Sequence, residues 1–162
     1  HGSVLWESIG MAKKNKEVRQ LKTKGKKTAI TTAVSSDSKR PIWIFTNLDR
    51  AGKFAFDTKR ADFDYRDFIE KMIQFSNMTW NEIKKQTHDE GKSKHHSISY
   101  DSLSKDARQR FDVKQLSDYE DAIFSFAFNN LTRVIGIRKG ENFEVLWYDP
   151  RHEVCISTLK HT

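Results

Sequence analysis

Residues 122–157 read AIFSFAFNNLTRVIGIRKGENFEVLWYDPRHEVCIS, and this stretch decides the fold. Its first run, AIFSFAF at 122–128, alternates, which puts Phe124, Phe126 and Phe128 on one face. Asn129-Asn130 then marks a turn. RVIGIR at 133–138 is a second strand, and Lys139-Gly140-Glu141-Asn142 turns the chain again. FEVLWY at 143–148 is a third strand, with Phe143, Val145 and Trp147 on one face. After Asp149-Pro150-Arg151, EVCIS at 153–157 reads as a fourth. Connections this short join only antiparallel neighbours, so the segment predicts a meander.

Upstream the period changes from two to 3.6. Asp64 can cap a helix in which Tyr65, Phe68, Ile69, Met72, Ile73 and Phe75 fall mostly on one side. Thr79-Trp80-Asn81-Glu82 is a capping box, and Met78 and Ile83 have the spacing of a hydrophobic staple. A second helix therefore starts near Trp80 and ends near Thr87, and the two helices read as a hairpin. Ser104 can cap a third helix, LSKDARQRF, with Leu103, Ala107 and Phe111 inward. IWIF at 42–45 and KFAFD at 53–57 read as short strands joined by an Asp49–Gly52 turn, and SISY at 97–100 as a further short strand. The expected fold class is α+β: a helical hairpin packed on a curved antiparallel sheet of about four strands, with a disordered basic N-terminal arm.

The arm holds the charge. Residues 13–27, KKNKEVRQLKTKGKK, carry eight Lys or Arg against Glu17, which equals the whole net charge of +7. The remainder holds 21 basic and 21 acidic residues and is neutral. Residues 1–10 read as a tag, 11–40 as a disordered basic arm and linker, and 41–162 as a single α+β domain. Lys13, Lys14, Lys16, Arg19, Lys22, Lys24, Lys26 and Lys27 suit a polyanion, because each phosphate they neutralise releases counterions. A purely solubilising tail is the alternative. The single Cys155 excludes an internal disulfide framework and suits a reducing cytoplasm. No apolar run approaches a membrane span, so no membrane partner is expected.

No phosphate loop, GxSxG, paired CxxC or HExxH motif occurs. The spacing of His88, His95 and His96 fits no zinc pattern, so neither metal nor cofactor is expected. The histidines can instead move protons near neutral pH. Arg138, Arg151 and His152 form the candidate cluster for phosphodiester chemistry, since guanidinium groups pair bidentately with phosphate. Strand alternation sets Arg133 on the face opposite Arg138. Tyr148 could stack on a base, whereas Trp147 alternates with core residues.

The order of elements, and the phrase FSFAFNNLTRVIGIRKGENFEVLWYDPRHEV above all, resembles the RelE/ParE-like toxin superfamily. The phrase W-[WY]-D-P-x-H also resembles the C-terminal wording of uncharacterised bacterial proteins. The resemblance covers roughly Phe63 to the end. It implies metal-independent cleavage of RNA on a concave sheet and an antitoxin covering that surface. It carries over to Arg138, Arg151 and His152, with His95 and His96 as loop contributors. The arm, the β-type run ahead of the helices and the LSKDARQRF insertion depart from the pattern. Two other readings stand beside it: a non-catalytic nucleic-acid-binding protein that uses its arm, and a protein-interaction module of a mobile element.

Overall fold

A computed structural model describes residues 36–156 of the chain. The basic residues from Lys13 to Lys27 lie outside these described residues. Eight named elements of α or β structure follow one another among the described residues. They are β1 (Ile42–Ile44), α1 (Tyr65–Ser76), α2 (Trp80–Lys85), β2 (His96–Ser97), α3 (Lys105–Val113), β3 (Ile123–Ala127), β4 (Arg133–Lys139) and β5 (Asn142–Asp149). The architecture is α+β, as expected, but the sheet is mixed. Its five strands run in the order β1-β5-β4-β3-β2. β1 lies parallel to β5, and the other pairs are antiparallel.

The three helix starts lie where their caps predict. Side chains of Asp64, Thr79 and Ser104 accept from the backbone N–H of Asp67, Glu82 and Ala107. Phe68 and Phe75 of α1 are buried, whereas Tyr65, Ile69 and Ile73 are exposed, so only part of the expected stripe faces inward.

Three expected strand features are corrected. KFAFD is a loop, because its hydrogen bonds run to β5 and not back to β1. Asp49 N–H donates to Leu146 O at 3.0 Å, and Tyr148 N–H donates to Phe54 O at 3.1 Å. This loop continues the pairing of the β5 edge beyond the end of β1. EVCIS is not a fourth strand of the meander. Ser104 N–H donates to Val154 O and Ile156 N–H to Ser102 O, which pairs the segment with the start of α3. SISY shortens to the pair His96–Ser97, and a 3-10 turn begins at Tyr100.

A fourth correction concerns Trp147. The β4–β5 register slips between Ile135, opposite Trp147, and Gly136, opposite Val145, which leaves Leu146 as an extra residue. A bulge inverts the alternation beyond it. Phe143 and Val145 therefore join a phenylalanine-rich core under α1 and α2. Leu146 and Trp147 join a second core on the other face, with Leu103, Ala107 and Phe111. Gly136 permits the close approach here: a Cβ would meet Glu144 O at 2.2 Å. The sheet is thus covered on both faces.

Candidate functional site

At the β3–β4 turn end of the sheet lies a cleft of about 1310 Å³. α1 supplies Lys71 and Gln74. The segment after α2 supplies Gln86, His88, Lys92, Lys94, His95 and His96. The β3–β4 turn and the start of β4 supply Asn129, Asn130 and Arg133, and the chain beyond β5 supplies His152 and Cys155. Four Lys or Arg line it against the acids Asp89 and Glu90, which gives the cavity a positive balance suited to an anion.

Arg133 is 7% exposed. Its Nη1 donates to Asn129 O at 2.8 Å and to Thr132 O at 3.2 Å. Desolvation lowers its pKa, opposed by Asp149 through space. Asp149, opposite Arg133 in the β-ladder, is 1% exposed. Its carboxylate accepts from Glu153 N–H at 2.9 Å and from Val154 N–H at 2.8 Å. Burial raises the Asp149 pKa against these bonds.

Those two bonds tie the chain after β5 into a tight return. Within it His152 takes φ +57°, a left-handed conformation uncommon for a side-chain-bearing residue. His152 is exposed at the rim. Partial desolvation and then the Arg133 charge hold its imidazole below the usual range, with Asp149 acting the other way. His152 is therefore neutral at neutral pH and able to accept a proton.

His95 has a different station. It is 2% exposed. Ala127 N–H donates to Nδ1 at 3.0 Å, which places the proton on Nε2, 2.7 Å from Gln86 Oε1. Burial, then Lys94 and Arg133, push its pKa down to about 3. Both nitrogens are engaged, so His95 braces the cleft wall and is not free to shuttle protons. His96 is exposed, and its Nδ1 lies 3.1 Å from Ser97 O. Its Nε2 has no partner among the described residues.

The structure thus brings His152, His95 and His96 together, but not the expected arginines. Arg138 lies five residues along β4 from Arg133, roughly 17 Å at a strand rise of ~3.4 Å per residue. It pairs with Asp37, bonds to Gly140 O at 2.9 Å and stacks 4.1 Å over Trp80. Arg151 is exposed at the turn and does not line the cleft. Tyr148 is 2% exposed, with its ring 4.1 Å from Phe63 and Asp64 N–H donating to its hydroxyl at 3.2 Å. It has no free face for a base. Burial raises the Cys155 thiol, which keeps it protonated and a poor nucleophile.

Sequence reasoning set Arg133 aside and missed Lys71, Lys92 and Lys94. A signal for Arg133 existed: a cation three residues beyond Asn130, directly before a run of apolar residues. Among the described residues no group of three or more His, Cys, Asp or Glu side chains is arranged to hold a metal. No helix among them is long and apolar enough to cross a membrane. Comparison with known proteins gives no matching family model, no matching curated protein and no matching solved structure.

Proposed function

We propose that this chain is a metal-independent endoribonuclease of the RelE/ParE-like kind, acting on single-stranded RNA in the cytoplasm. The observation that carries the reading is the gathering of His152, His96 and His88 with Arg133 in one cationic cleft. In this reaction a neutral His152 takes the proton of a ribose 2′-hydroxyl. The 2′-oxygen attacks phosphorus, the bond from phosphorus to the 5′-oxygen breaks, and a 2′,3′-cyclic phosphate forms. His96 or His88 hands a proton to the departing 5′-oxygen, and cationic side chains offset the charge gathered on phosphorus. α1 and α2 serve as the hairpin of that superfamily, resting on a curved sheet. A protein partner of antitoxin type covers the cleft when the enzyme is held inactive. The charge run at 13–27 adds non-specific affinity for the RNA backbone.

The test is labelled single-stranded RNA incubated with the full chain and a chelator, beside the His152→Ala variant and a DNA strand of the same sequence. Chelator-resistant cleavage of RNA alone, reduced at least a hundredfold in the variant, is the expected result. Full cleavage by His152→Ala, or cleavage abolished by the chelator, overturns it. Binding without cleavage assigns arm and cleft to a non-catalytic RNA-binding protein, a reading the 13–27 run supports by itself.

A further inference from the structure

The other arginines that form side-chain ion pairs among the described residues meet carboxylates, Arg60 with Asp62 among them. Arg110 meets Asp49, and Arg138 meets Asp37. Arg133 is more deeply buried than most cations tolerate, yet it forms no ion pair among the described residues. Its nearest candidate, Asp149, is occupied by the N–H groups of Glu153 and Val154. A buried charge without a contact counterion is costly to hold.

The guanidinium is also oriented. Both of its hydrogen bonds leave from Nη1, to Asn129 O and Thr132 O. Nε and Nη2 have no partner among the described residues. No fully buried side-chain nitrogen or oxygen there lacks a partner, so these two nitrogens keep some exposure, and the residue lines the cleft. The free edge presents two parallel N–H groups, the fork that matches two oxygens of one anion. A carboxylate fits such a fork too. The cleft favours phosphate, because Lys71, Lys92 and Lys94 along its walls offer more positive charge than one carboxylate requires and suit successive phosphates of a strand.

We infer that the Nε–Nη2 edge of Arg133 seats one internal phosphodiester of a bound RNA strand, each non-bridging oxygen accepting one N–H bond. This assignment rests on the RNA reading above and deepens it. It makes Arg133, and neither Arg138 nor Arg151, the residue that fixes which phosphate lies beside His152.

The experiment uses the full chain and two probes: inorganic phosphate, and a 2′-O-methyl oligonucleotide that lacks terminal phosphates and cannot be cut. Phosphate is expected to move the Nε–Hε resonance of Arg133 and to leave that of Arg138 in place. Arg133→Lys keeps the charge and loses the fork, so oligonucleotide affinity should fall about tenfold with an unchanged salt slope. Lys71→Ala should instead lower the salt slope by about one. Arg138→Lys should stay within twofold of the parent. An unmoved Arg133 resonance overturns the inference, as does unchanged affinity in a folded Arg133→Lys protein. If that variant fails to fold, the phosphate titration of the parent chain decides. A nucleoside monophosphate that displaces the oligonucleotide from Arg133 at lower concentration than the oligonucleotide itself requires places a terminal monoester in the seat, and also overturns the internal assignment. Phosphate seated at Arg133 with no cleavage of natural RNA sinks the ribonuclease reading and leaves this one standing. Cleavage and binding unaffected by Arg133→Lys do the reverse.

Discussion

Asp49 and Arg133 are both charged and both almost wholly buried, and the fold treats them in opposite ways. Asp49 is 1% exposed and receives four donors. Arg110 supplies Nε at 3.0 Å and Nη2 at 2.8 Å, Trp147 supplies Nε1 at 2.9 Å, and Ala51 N–H lies at 3.2 Å. Burial raises the Asp49 pKa, but these bonds outweigh it and the net shift is downward. Among the described residues Arg133 has two carbonyl acceptors and no contact carboxylate, and its Nε–Nη2 edge has no partner. The first arrangement is saturated and holds the 49–56 loop to β5 and α3. The second leaves binding capacity unused among the described residues. A buried charge that is fully partnered serves the fold, and one that is half partnered faces the site.

The largest expected effect tests the saturated side. Asp49→Ala strands Arg110 and the Trp147 N–H, and should cost about 3 kcal/mol in urea unfolding, the low end for a broken buried pair because Arg110 retains some solvent. A loss below about 1 kcal/mol would erase the contrast. Next comes pH. His95 is neutral in the fold, with a pKa of about 3 against an ordinary 6.5. Between those values the unfolded chain binds the extra proton, so this contribution is complete above pH 6.5 and declines as pH falls. About 2 kcal/mol should be gone by pH 5. Asp49, with its lowered pKa, keeps its contribution until the pH falls below the usual carboxylate range. Loss between pH 6.5 and 5 that persists undiminished in His95→Gln would assign the effect elsewhere.

Arg133→Met sharpens the comparison from the other side. It removes two hydrogen bonds but also an unpaired buried charge, and should change stability by no more than about 1 kcal/mol. A cost equal to that of Asp49→Ala would show Arg133 to be structural. The smallest effect belongs to His152→Gly. Glycine relieves the left-handed φ but frees the unfolded chain, and the two nearly cancel to within about 0.5 kcal/mol. RNA cleavage should nevertheless be lost, which separates function from stability at one residue.

Local chemistry made much of the fold legible. Caps at Asp64, Thr79 and Ser104 and the alternation of Phe124, Phe126 and Phe128 involve neighbours in sequence, and the structure follows them. What escaped depends on partners far along the chain. Phe54 and Phe56 look like strand residues, but their segment belongs to the edge of β5, about 90 residues on. Parallel pairing of β1 has no local signature. Trp147 changed faces because a register slip is set by two strands together. The place of His152 directly beyond β5 was legible, and the structure sets it at the cleft rim. Arg138 was preferred because nothing in its neighbourhood announces Asp37 or Trp80, and Arg133 was set aside because strand alternation put it on the face opposite Arg138.

The extra residue at Leu146 can be viewed as a slip of half a wavelength in a wave of period two. The stretch before it and the stretch after it obey the same rule with opposite sign. Trp147 can thereby reach Asp49 while Tyr148 completes the phenylalanine core, and Asp149 comes out opposite Arg133. A deletion of Leu146 would leave the charge untouched and still exchange the faces of everything beyond it on that strand. The cleft end of this sheet owes its phase to one residue that does not line the cleft.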